Sequence, residues 1–410
     1  MMNNKGFTTT NLHSDRRSKP EHGVLHKAIH PSVAFEYEDA KHLAEVFQGK
    51  RAGYSYGRQT NPTVTALQDR ITAMEQGVAS IAFATGMAAI ASTMLALLRQ
   101  GDHLVSSAFL FGNTNSFFSS LMRLGINVSY VNAADVAEVE AAVTETTRLV
   151  FVETIANPVT QVADLRAIGD FCKSRGLLYC VDNTMTTPHL FNPKSVGAGL
   201  VVNSLTKYIG GHGNALGGAV TDTGKYDWTR FDNILDTYRS GDSTLWGITQ
   251  IRKKGLRDMG ASLGPEAAHH LAVGSETLPM RVKQACINAQ ELAGFCDRHD
   301  KVDHTFYPGL PGHPQHERAR QLFRYFGAIF SINLAPGVDC FDILNRMQTV
   351  IASSNLGDTR TLAIPVAHTI YHEMGANRRQ SMGITDSMIR FSVGIEDTED
   401  LLEDFEQALA

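Results

Sequence analysis

Ser204-Leu205-Thr206-Lys207-Tyr208-Ile209-Gly210-Gly211-His212-Gly213 follows the apolar run Gly199-Leu200-Val201-Val202, which predicts a short buried strand. Ser204 and Thr206 place two hydroxyl groups before Lys207, and glycines follow it. A lysine at the end of a buried strand is poorly hydrated, so its pKa falls and its amine becomes a better nucleophile. This stretch therefore favours a lysine that binds a ligand covalently, with a surface lysine at a strand end as the alternative.

A cofactor that carries both an aldehyde and a phosphate would use all three polar side chains of this stretch. Lys207 would bind the aldehyde, while Ser204 and Thr206 would donate hydrogen bonds to the phosphate. Pyridoxal 5'-phosphate (PLP) has both groups. One such motif leaves both interpretations of the lysine open, and other parts of the chain have to separate them.

The composition limits the class of protein. The chain has 410 residues, 43% hydrophobic and 19% charged, which is typical of a globular protein large enough for two domains. A net charge of −5 disfavours a nucleic-acid partner, which needs a clustered cationic face. The cysteines show no C-x-x-C spacing, which fits a reducing compartment. Neither a membrane span nor a signal peptide is apparent. The sequence therefore predicts a cytoplasmic protein without a membrane partner.

Strand and helix patterns alternate through the first half of the chain. This alternation predicts an α/β fold, with a mostly parallel sheet and helices on both of its faces. Ligands of such sheets bind at the carboxyl ends of the strands. The predicted strands are residues 102–106, 126–131, 149–153 and 177–181, and the predicted helices are residues 113–124 and 163–175. The polar residues at or just past strand ends are Thr85, Glu153, Asn157, Asp182 and Lys207.

Three further positions suit a phosphorylated cofactor. Thr85-Gly86 lies between an apolar run and a run of small residues, which predicts a helix N-terminus able to bind phosphate. Asp182 would keep a pyridine nitrogen protonated, or else cap the segment that follows it. Tyr56 and Arg58 precede a helix that Asn61-Pro62 would begin, so both are free to face a ligand, although Arg58 has a nearby carboxylate as an alternative partner.

The chain divides into three predicted parts. Residues 1–60 are predicted to be an extended N-terminal arm that lies on another subunit, residues 61–260 a PLP-binding α/β domain, and residues 261–410 a smaller α+β domain. In the second half, residues 256–272 and 399–409 are predicted helices, and residues 302–307, 328–334 and 389–393 are predicted strands.

A substrate carboxylate has one good candidate partner in the C-terminal part. Strand alternation sends Arg390 away from its apolar neighbours, and its guanidinium would hold a carboxylate bidentately or bridge the two domains. Ser354 and Asn355 lie in a polar turn with free backbone donors. His313 and His316 lack a third ligand nearby in the sequence, so no metal site is predicted.

Together these motifs resemble the Cys/Met-metabolism family of PLP-dependent enzymes, the cystathionine γ-synthase-like group. The resemblance covers the chain from about residue 31 onward and implies the type I PLP fold, as in aspartate aminotransferase. It also implies a homotetramer of two tight dimers with shared active sites. The motifs are Tyr56-Gly57-Arg58, Asn61-Pro62-Thr63, Thr85-Gly86-Met87, Glu153, Asn157-Pro158, Val181-Asp182-Asn183-Thr184, Ser204-Leu205-Thr206-Lys207-Tyr208, Glu276-Thr277-Leu278, Asn355-Leu356-Gly357-Asp358 and Ile389-Arg390-Phe391-Ser392-Val393.

The resemblance implies a role for each candidate residue. Lys207 would bind PLP covalently, Asp182 would pair with the pyridine nitrogen, and Arg390 would bind the substrate carboxylate with the turn at Ser354 and Asn355. The remaining cofactor-binding positions would be Gly86, Met87, Asn157, Ser204 and Thr206, with Tyr56 and Arg58 from the neighbouring subunit.

Two positions depart from many family members and bear on the reaction. Phe111 stands where a tyrosine is expected to stack on the cofactor, so the phenol proton donor is missing, and Asn113 replaces the active-site cysteine of methionine γ-lyases. The resemblance therefore favours an O-acylhomoserine sulfhydrylase, which forms homocysteine or methionine by replacement at the γ-carbon. A γ-lyase acting on a thioether or an oxyguanidine is the alternative. A PLP-free scaffold or binding protein is a third, disfavoured by Lys207 and Asp182.

Overall fold

The computed structural model describes residues 5–16 and 21–410. Its first sheet and the helices around it precede the second sheet along the chain. The elements of the first half are α1 (Phe7–His13), α2 (Ala40–Phe47), α3 (Pro62–Met74), β1 (Ala79–Phe83), α4 (Gly86–Leu97), β2 (His103–Ser107), α5 (Gly112–Arg123), β3 (Asn127–Val131), α6 (Val136–Ala142), β4 (Thr147–Glu153), α7 (Leu165–Arg175), β5 (Leu178–Asp182), α8 (Thr187–Leu190), β6 (Leu200–Ser204) and β7 (Gly218–Asp222).

The second half contains longer helices and shorter strands. Its elements are α9 (Trp246–Gln250), α10 (Pro265–Glu276), α11 (Leu278–Cys296), β8 (Val302–Phe306), α12 (His316–Leu322), β9 (Ile329–Leu334), α13 (Cys340–Arg346), β10 (Ile351–Ala352), β11 (Leu362–Pro365), α14 (Ala376–Ser381), β12 (Met388–Ser392) and α15 (Thr398–Leu409). No helix of the described chain is both long and apolar enough to cross a membrane.

The first sheet has seven strands in the order β1-β7-β6-β5-β4-β2-β3. Strands β2 to β6 pair in parallel, and only β7 runs antiparallel to its neighbours β1 and β6. Glu153 at the end of β4 pairs with Asp182 at the end of β5, and Asp182 pairs with Val202 in β6. The predicted mostly parallel sheet is confirmed, and three neighbouring strands end at one edge.

Helices cover this sheet on both faces, as predicted. Val150 and Val152 of β4 pack in one hydrophobic core, while Leu149 and Phe151 pack in the other. Helices α3 and α7 contribute to the first core and helices α4 and α5 to the second. Strands buried on both faces need continuous apolar runs, and this explains the sequence of β4.

The second sheet has five strands in the order β10-β11-β12-β9-β8 and is antiparallel except for the β10–β11 pair. The strands predicted at residues 302–307, 328–334 and 389–393 are β8, β9 and β12. Arg390 in β12 pairs with Ser331 and Ile364 and is buried. The domain boundaries at residues 60 and 260 stay predictions.

Two predictions of local structure are wrong. The first 60 residues are not simply extended, because they contain α1 and α2. Part of this arm packs on its own chain: Asn11 Nδ2 donates to the Ser275 carbonyl (2.6 Å), and Asp15 forms an ion pair with Arg70 (2.8 Å). The helix predicted at 256–272 is interrupted, because Gly260 takes a positive φ of 76°.

Glu75 connects α3 to the strands that end at the same sheet edge. Its carboxyl is fully buried, and its Oε1 accepts hydrogen bonds from Asn183 (3.0 Å) and Asn203 (2.6 Å). Asn183 follows the last residue of β5, and Asn203 lies in β6. Burial raises the pKa of Glu75 to about 7, although the two amide donors oppose the shift.

We predict that the raised pKa of Glu75 makes the protein less stable as pH rises. The folded state binds the Glu75 proton more tightly than the unfolded state, so the free energy of unfolding should fall between about pH 4.5 and about pH 7 by up to about 3 kcal/mol. Urea unfolding of wild type and Glu75→Gln at pH 5, 6, 7 and 8 measures the difference, which should level off above pH 7. Glu140→Gln, at an exposed position, is the control and should follow the wild type.

Candidate active site

The carboxyl ends of β4, β5 and β6 open into a cavity of about 420 Å³. Ligand pockets of proteins commonly have this size. The structure brings most of the predicted site residues together around this cavity. Those that line it are Gly86, Met87, Phe111, Asn157, Asp182, Ser204, Thr206, Lys207, Ser354, Asn355 and Arg390.

The N-terminus of α4 forms one end of the cavity. Thr85 is the N-cap, and its Oγ1 accepts a hydrogen bond from the Ala88 N–H (2.9 Å). Gly86 lies so close to Ser204 that an added Cβ would approach the Ser204 Cβ to 2.9 Å. Thr206 Oγ1 is held by the backbone of Gly217, to which it donates at 3.2 Å and from which it accepts at 3.0 Å. A helix N-terminus flanked by hydroxyl groups suits a phosphate.

Lys207 lies past the end of β6 and is largely removed from water. Its Nζ donates a hydrogen bond to Asn355 Oδ1 (2.7 Å). Burial first, and then the positive charge of Arg390, lower the pKa of Lys207 to about 8. A substantial fraction of the amine is therefore neutral, and hence nucleophilic, near neutral pH.

Asp182 sits at the end of β5, where Thr184 orients it. Its Oδ1 accepts a hydrogen bond from the Thr184 N–H (2.9 Å), and Thr184 Oγ1 accepts one from the Ser204 N–H (2.8 Å). Burial raises the pKa of Asp182, while the hydrogen bonds from Thr184 oppose this shift. Thr184 thus connects the carboxyl at the end of β5 to the backbone N–H of Ser204 at the end of β6.

Arg390 both bridges the two sheets and keeps a donor free. Its Nη2 donates to the carbonyls of Ser354 (3.2 Å) and Asn355 (2.9 Å), and its Nη1 lies 3.5 Å from Asn157 Oδ1. Its Nε is buried and has no partner in the described structure. Burial lowers the pKa of Arg390 to about 10, so it remains charged at neutral pH. A buried guanidinium with a free donor fits a substrate carboxylate.

Phe111 lies at the rim of the cavity and is 37% exposed. It immediately precedes α5, and its backbone N–H donates to Glu153 Oε1 (2.8 Å). Asn113, in the first turn of α5, also lines the cavity. The aromatic ring expected to stack on a cofactor is therefore at the cavity, without a phenol group.

Tyr56 and Arg58 do not reach this cavity in their own chain. They line a different depression together with Val33 and Ser262. Arg58 Nη1 donates to the Arg257 carbonyl (2.6 Å), and its guanidinium lies 5.4 Å from the centre of the Tyr56 ring. The contribution of Tyr56 and Arg58 to the active site of a neighbouring subunit stays a prediction.

Some residues that shape the site were not assigned a role from the sequence. Glu153 and Thr184 lie beside Asp182. Glu153 could have been found from the sequence, because two neighbouring predicted strands both end at or next to an acidic residue. Tyr371 left no such signal, because its hydroxyl donates to the carbonyls of Asn157 and Leu110, which are distant in sequence. Within residues 5–16 and 21–410, no three acidic, histidine or cysteine side chains converge as metal ligands.

Residues 8–410 match the family described as Cys/Met metabolism PLP-dependent enzyme. The chain belongs to this family. It is 36% identical over 408 residues to an L-methionine gamma-lyase of Fusobacterium nucleatum subsp. polymorphum, covering 98% of each chain. It is 35% identical over 421 residues to O-acetyl-L-homoserine sulfhydrylase 1 of Thermus thermophilus, covering 98% of this chain and 100% of the relative.

A solved structure gives the same fold. The structure of a putative O-acetylhomoserine (thiol)-lyase from Campylobacter jejuni superposes with a TM-score of 0.94 at 28% identity, covering 99% of this chain and 100% of the other. That protein carries N'-pyridoxyl-lysine-5'-monophosphate at its position 205. The resemblance to the family and the type I PLP fold are therefore confirmed, and the protein is a PLP-dependent enzyme.

The described side chains fit PLP. The cavity joins a helix N-terminus, at Gly86, to a buried amine of lowered pKa, at Lys207, and to a buried carboxyl, at Asp182. These groups match a phosphate, an aldehyde and a pyridine nitrogen, respectively. The close approach of Gly86 to Ser204 would not tolerate a larger residue, which keeps the helix N-terminus open to a ligand.

We predict that the rate at which PLP attaches to the protein follows the neutral fraction of Lys207. Because the pKa of Lys207 is about 8, the rate should rise roughly tenfold from pH 6 to pH 7 and level off above pH 8. Appearance of the visible band of the bound cofactor measures this rate, and borohydride reduction followed by peptide mapping locates the adduct.

Lys207→Ala should give neither the band nor the reduced adduct, while Lys173→Ala, at an exposed position, should behave as the wild type. An adduct that persists in Lys207→Ala would show that another lysine binds the cofactor.

Proposed function

We propose that this enzyme acts at the γ-carbon of an L-homoserine derivative and replaces the γ-acyloxy group with a sulfur nucleophile. It would then be an O-acylhomoserine sulfhydrylase that forms homocysteine or methionine. The observation that carries this proposal is that Phe111, a ring without a hydroxyl to donate a proton, lines the cavity. The sulfhydrylase of Thermus thermophilus, at 35% identity, supports it.

Different side chains of the cavity would bind the substrate and the cofactor. Arg390, with the carbonyl-lined turn at Ser354 and Asn355, would hold the α-carboxylate of the substrate. Gly86, Ser204 and the N-terminus of α4 would hold the cofactor phosphate. Because both anion sites line the cavity that contains Lys207, a bound substrate would be held near the lysine amine.

Lys207 would be the group that moves protons. Bound PLP supplies an electron sink for the charge that develops when a proton leaves the α-carbon. The substrate amine would free Lys207, whose Nζ would then take a proton from the α-carbon and afterwards one from the β-carbon. A pKa of about 8 suits both directions of proton transfer near neutral pH. Asn355, which accepts a hydrogen bond from Nζ, would position the amine between these steps.

Phe111 favours a leaving group that departs as a stable anion. A carboxylate, as released from an O-acyl ester, needs no proton when it leaves, whereas a thiolate or an alkoxide is helped by an acid. A stacking ring without a hydroxyl can hold the cofactor but cannot protonate the departing atom. The missing hydroxyl at Phe111 therefore favours an O-acyl ester over other γ-substituents.

A γ-lyase is the second candidate, supported by the methionine gamma-lyase at 36% identity. In such an enzyme Lys207 or a water molecule would protonate the leaving group, and hydrolysis would give 2-oxobutyrate and ammonia. Asn113 is an uncharged residue of the cavity wall and offers no acid for this step.

We further propose a homotetramer of two tight dimers in which the partner completes the active site. Helix α2 has no buried residue, and Phe47 on it is 64% exposed, which is unusual for a helix that packs only on its own chain. Leu25 in the same arm is 82% exposed. Tyr56 and Arg58 of a neighbouring copy would then reach the cofactor phosphate. All five cysteines are free and buried, which supports a cytoplasmic location.

A substrate panel tests the proposed reaction. O-acetyl- and O-succinyl-L-homoserine should give homocysteine with sulfide, and the rate of acid release should be at least about tenfold lower without it. Methionine should release little 2-oxobutyrate. Rapid formation of 2-oxobutyrate or homoserine from a thioether or an oxyguanidine substrate, without sulfide and faster than any ester is used, would contradict the proposal and assign a γ-lyase.

Phe111→Tyr tests the role given to the missing phenol. We expect PLP to remain bound, and kcat/KM for the O-acyl ester to change by less than about tenfold, because the ester does not need an acid. Activity on a thioether should rise instead. Loss of PLP from this variant, measured by its visible band, would show that Phe111 does more than stack.

A further inference from the structure

A second buried carboxyl lies beside Asp182 in the cavity wall. Glu153 ends β4 as Asp182 ends β5, and the two are paired residues of neighbouring parallel strands. Paired residues point to the same face of a sheet, and both side chains line the cavity. Glu153 is only 8% exposed. The reaction proposed above gives Asp182 a partner and gives Glu153 none.

The hydrogen bonds of the two carboxyls differ. Asp182 receives the Thr184 N–H and is also within reach of the Thr184 hydroxyl, and both stabilise its charged form. Glu153 receives one donor, the N–H of Phe111 at 2.8 Å. Asp182 therefore loses its proton more readily than Glu153 does.

The hydrogen bonds of the two cations of the cavity go to residues other than Glu153. Lys207 Nζ donates to Asn355, and Arg390 Nη2 donates to the carbonyls of Ser354 and Asn355. Tyr371 is buried, and burial raises the pKa of its hydroxyl above the ordinary value, so it stays neutral. Among the described residues Glu153 forms no ion pair, and its hydrogen bond comes from the Phe111 N–H.

Two buried like charges on paired residues are strongly unfavourable, so the pair titrates as a unit. Burial first, and then the negative charge of Asp182, raise the pKa of Glu153 well above its ordinary value. The proton of the pair consequently resides on Glu153. A neutral Glu153 still accepts the hydrogen bond from the Phe111 N–H through its carbonyl oxygen.

We propose that Glu153 is a positioning residue that stays protonated beside Asp182. In this state Asp182 alone carries negative charge toward the cofactor nitrogen, and Glu153 fixes the backbone of Phe111, whose ring is expected to stack on the cofactor. The inference rests on the role proposed for Asp182. It links two cofactor contacts, the ring stack and the charged partner, through one side chain.

Glu153→Gln and Glu153→Ala separate the two parts of this role. Glutamine is always neutral and still accepts from the Phe111 N–H, whereas alanine removes the acceptor. We expect the Kd for PLP at pH 7 to change by less than about threefold in Glu153→Gln and to rise at least about tenfold in Glu153→Ala. Equal losses in both variants would show that Glu153 acts as a charge and would overturn the proposal.

Infrared spectroscopy of the PLP-loaded full-length protein, with ¹³C at the glutamate carboxyls, reports the protonation state directly. Glu75→Gln serves as the background, because Glu75 is another buried acid with a raised pKa. At pH 8 we expect a protonated carboxyl band in this background that disappears on adding Glu153→Gln. Loss of an ionised carboxylate band instead would contradict the proposal.

The same readouts distinguish this inference from the proposed function. Neither depends on the substrate or on sulfide, so a γ-lyase would leave both results unchanged. Asp182→Asn supplies the opposite check: a variant that binds PLP as tightly as the wild type would show that Asp182 is not the partner of the cofactor nitrogen. That outcome would overturn the assignment of the site, and the inference on Glu153 with it.

Discussion

The pairing of β4, β5 and β6 in parallel is the constraint on which the site depends. It brings the ends of three strands to one edge, so that Glu153, Asp182 and Ser204 share a cavity although they are distant in sequence. A shift of one residue in any of these pairs would turn its polar end residue to the opposite face, into a hydrophobic core. The apolar residues on both faces of the sheet hold the register, and the amides bound to Glu75 tie two of the strand ends to α3.

The positive charges of the cavity are not neutralised by close ion pairs. Lys207 and Arg390 are both cationic groups of lowered pKa, and each lies among uncharged acceptors. Burial of an unpaired charge is costly, which explains why the amine of Lys207 is easily neutralised and why Arg390 holds several carbonyls. A substrate carboxylate and a cofactor phosphate would supply the missing negative charge. The cavity is therefore prepared for anionic ligands before they bind.

Much of the fold could be predicted from the sequence, because local patterns encode it. Strands β2 to β6, the N-cap at Asn61, the helix N-terminus at Thr85-Gly86 and the inward direction of Arg390 follow from periodicity and cap residues. Positions fixed by distant contacts could not be predicted in this way. Tyr371 reaches Asn157 and Leu110 across the fold, and Gly260 interrupts the helix that apolar periodicity predicts over residues 256–272. Tyr56 and Arg58 are a third kind, since their predicted partner is another copy of the chain.

In the proposed reaction one amine, that of Lys207, removes protons from both the α-carbon and the β-carbon of the substrate. Lys207 is largely dehydrated and its Nζ donates a hydrogen bond to Asn355, so it is suited to take protons from neighbouring atoms of a fixed substrate. Reaction of O-acetyl-L-homoserine with sulfide in D₂O tests this claim most directly, with deuterium in the homocysteine located by NMR. Deuterium at both the α-carbon and the β-carbon is the result predicted. Homocysteine that carries no deuterium at the β-carbon would indicate direct displacement at the γ-carbon and would contradict the account.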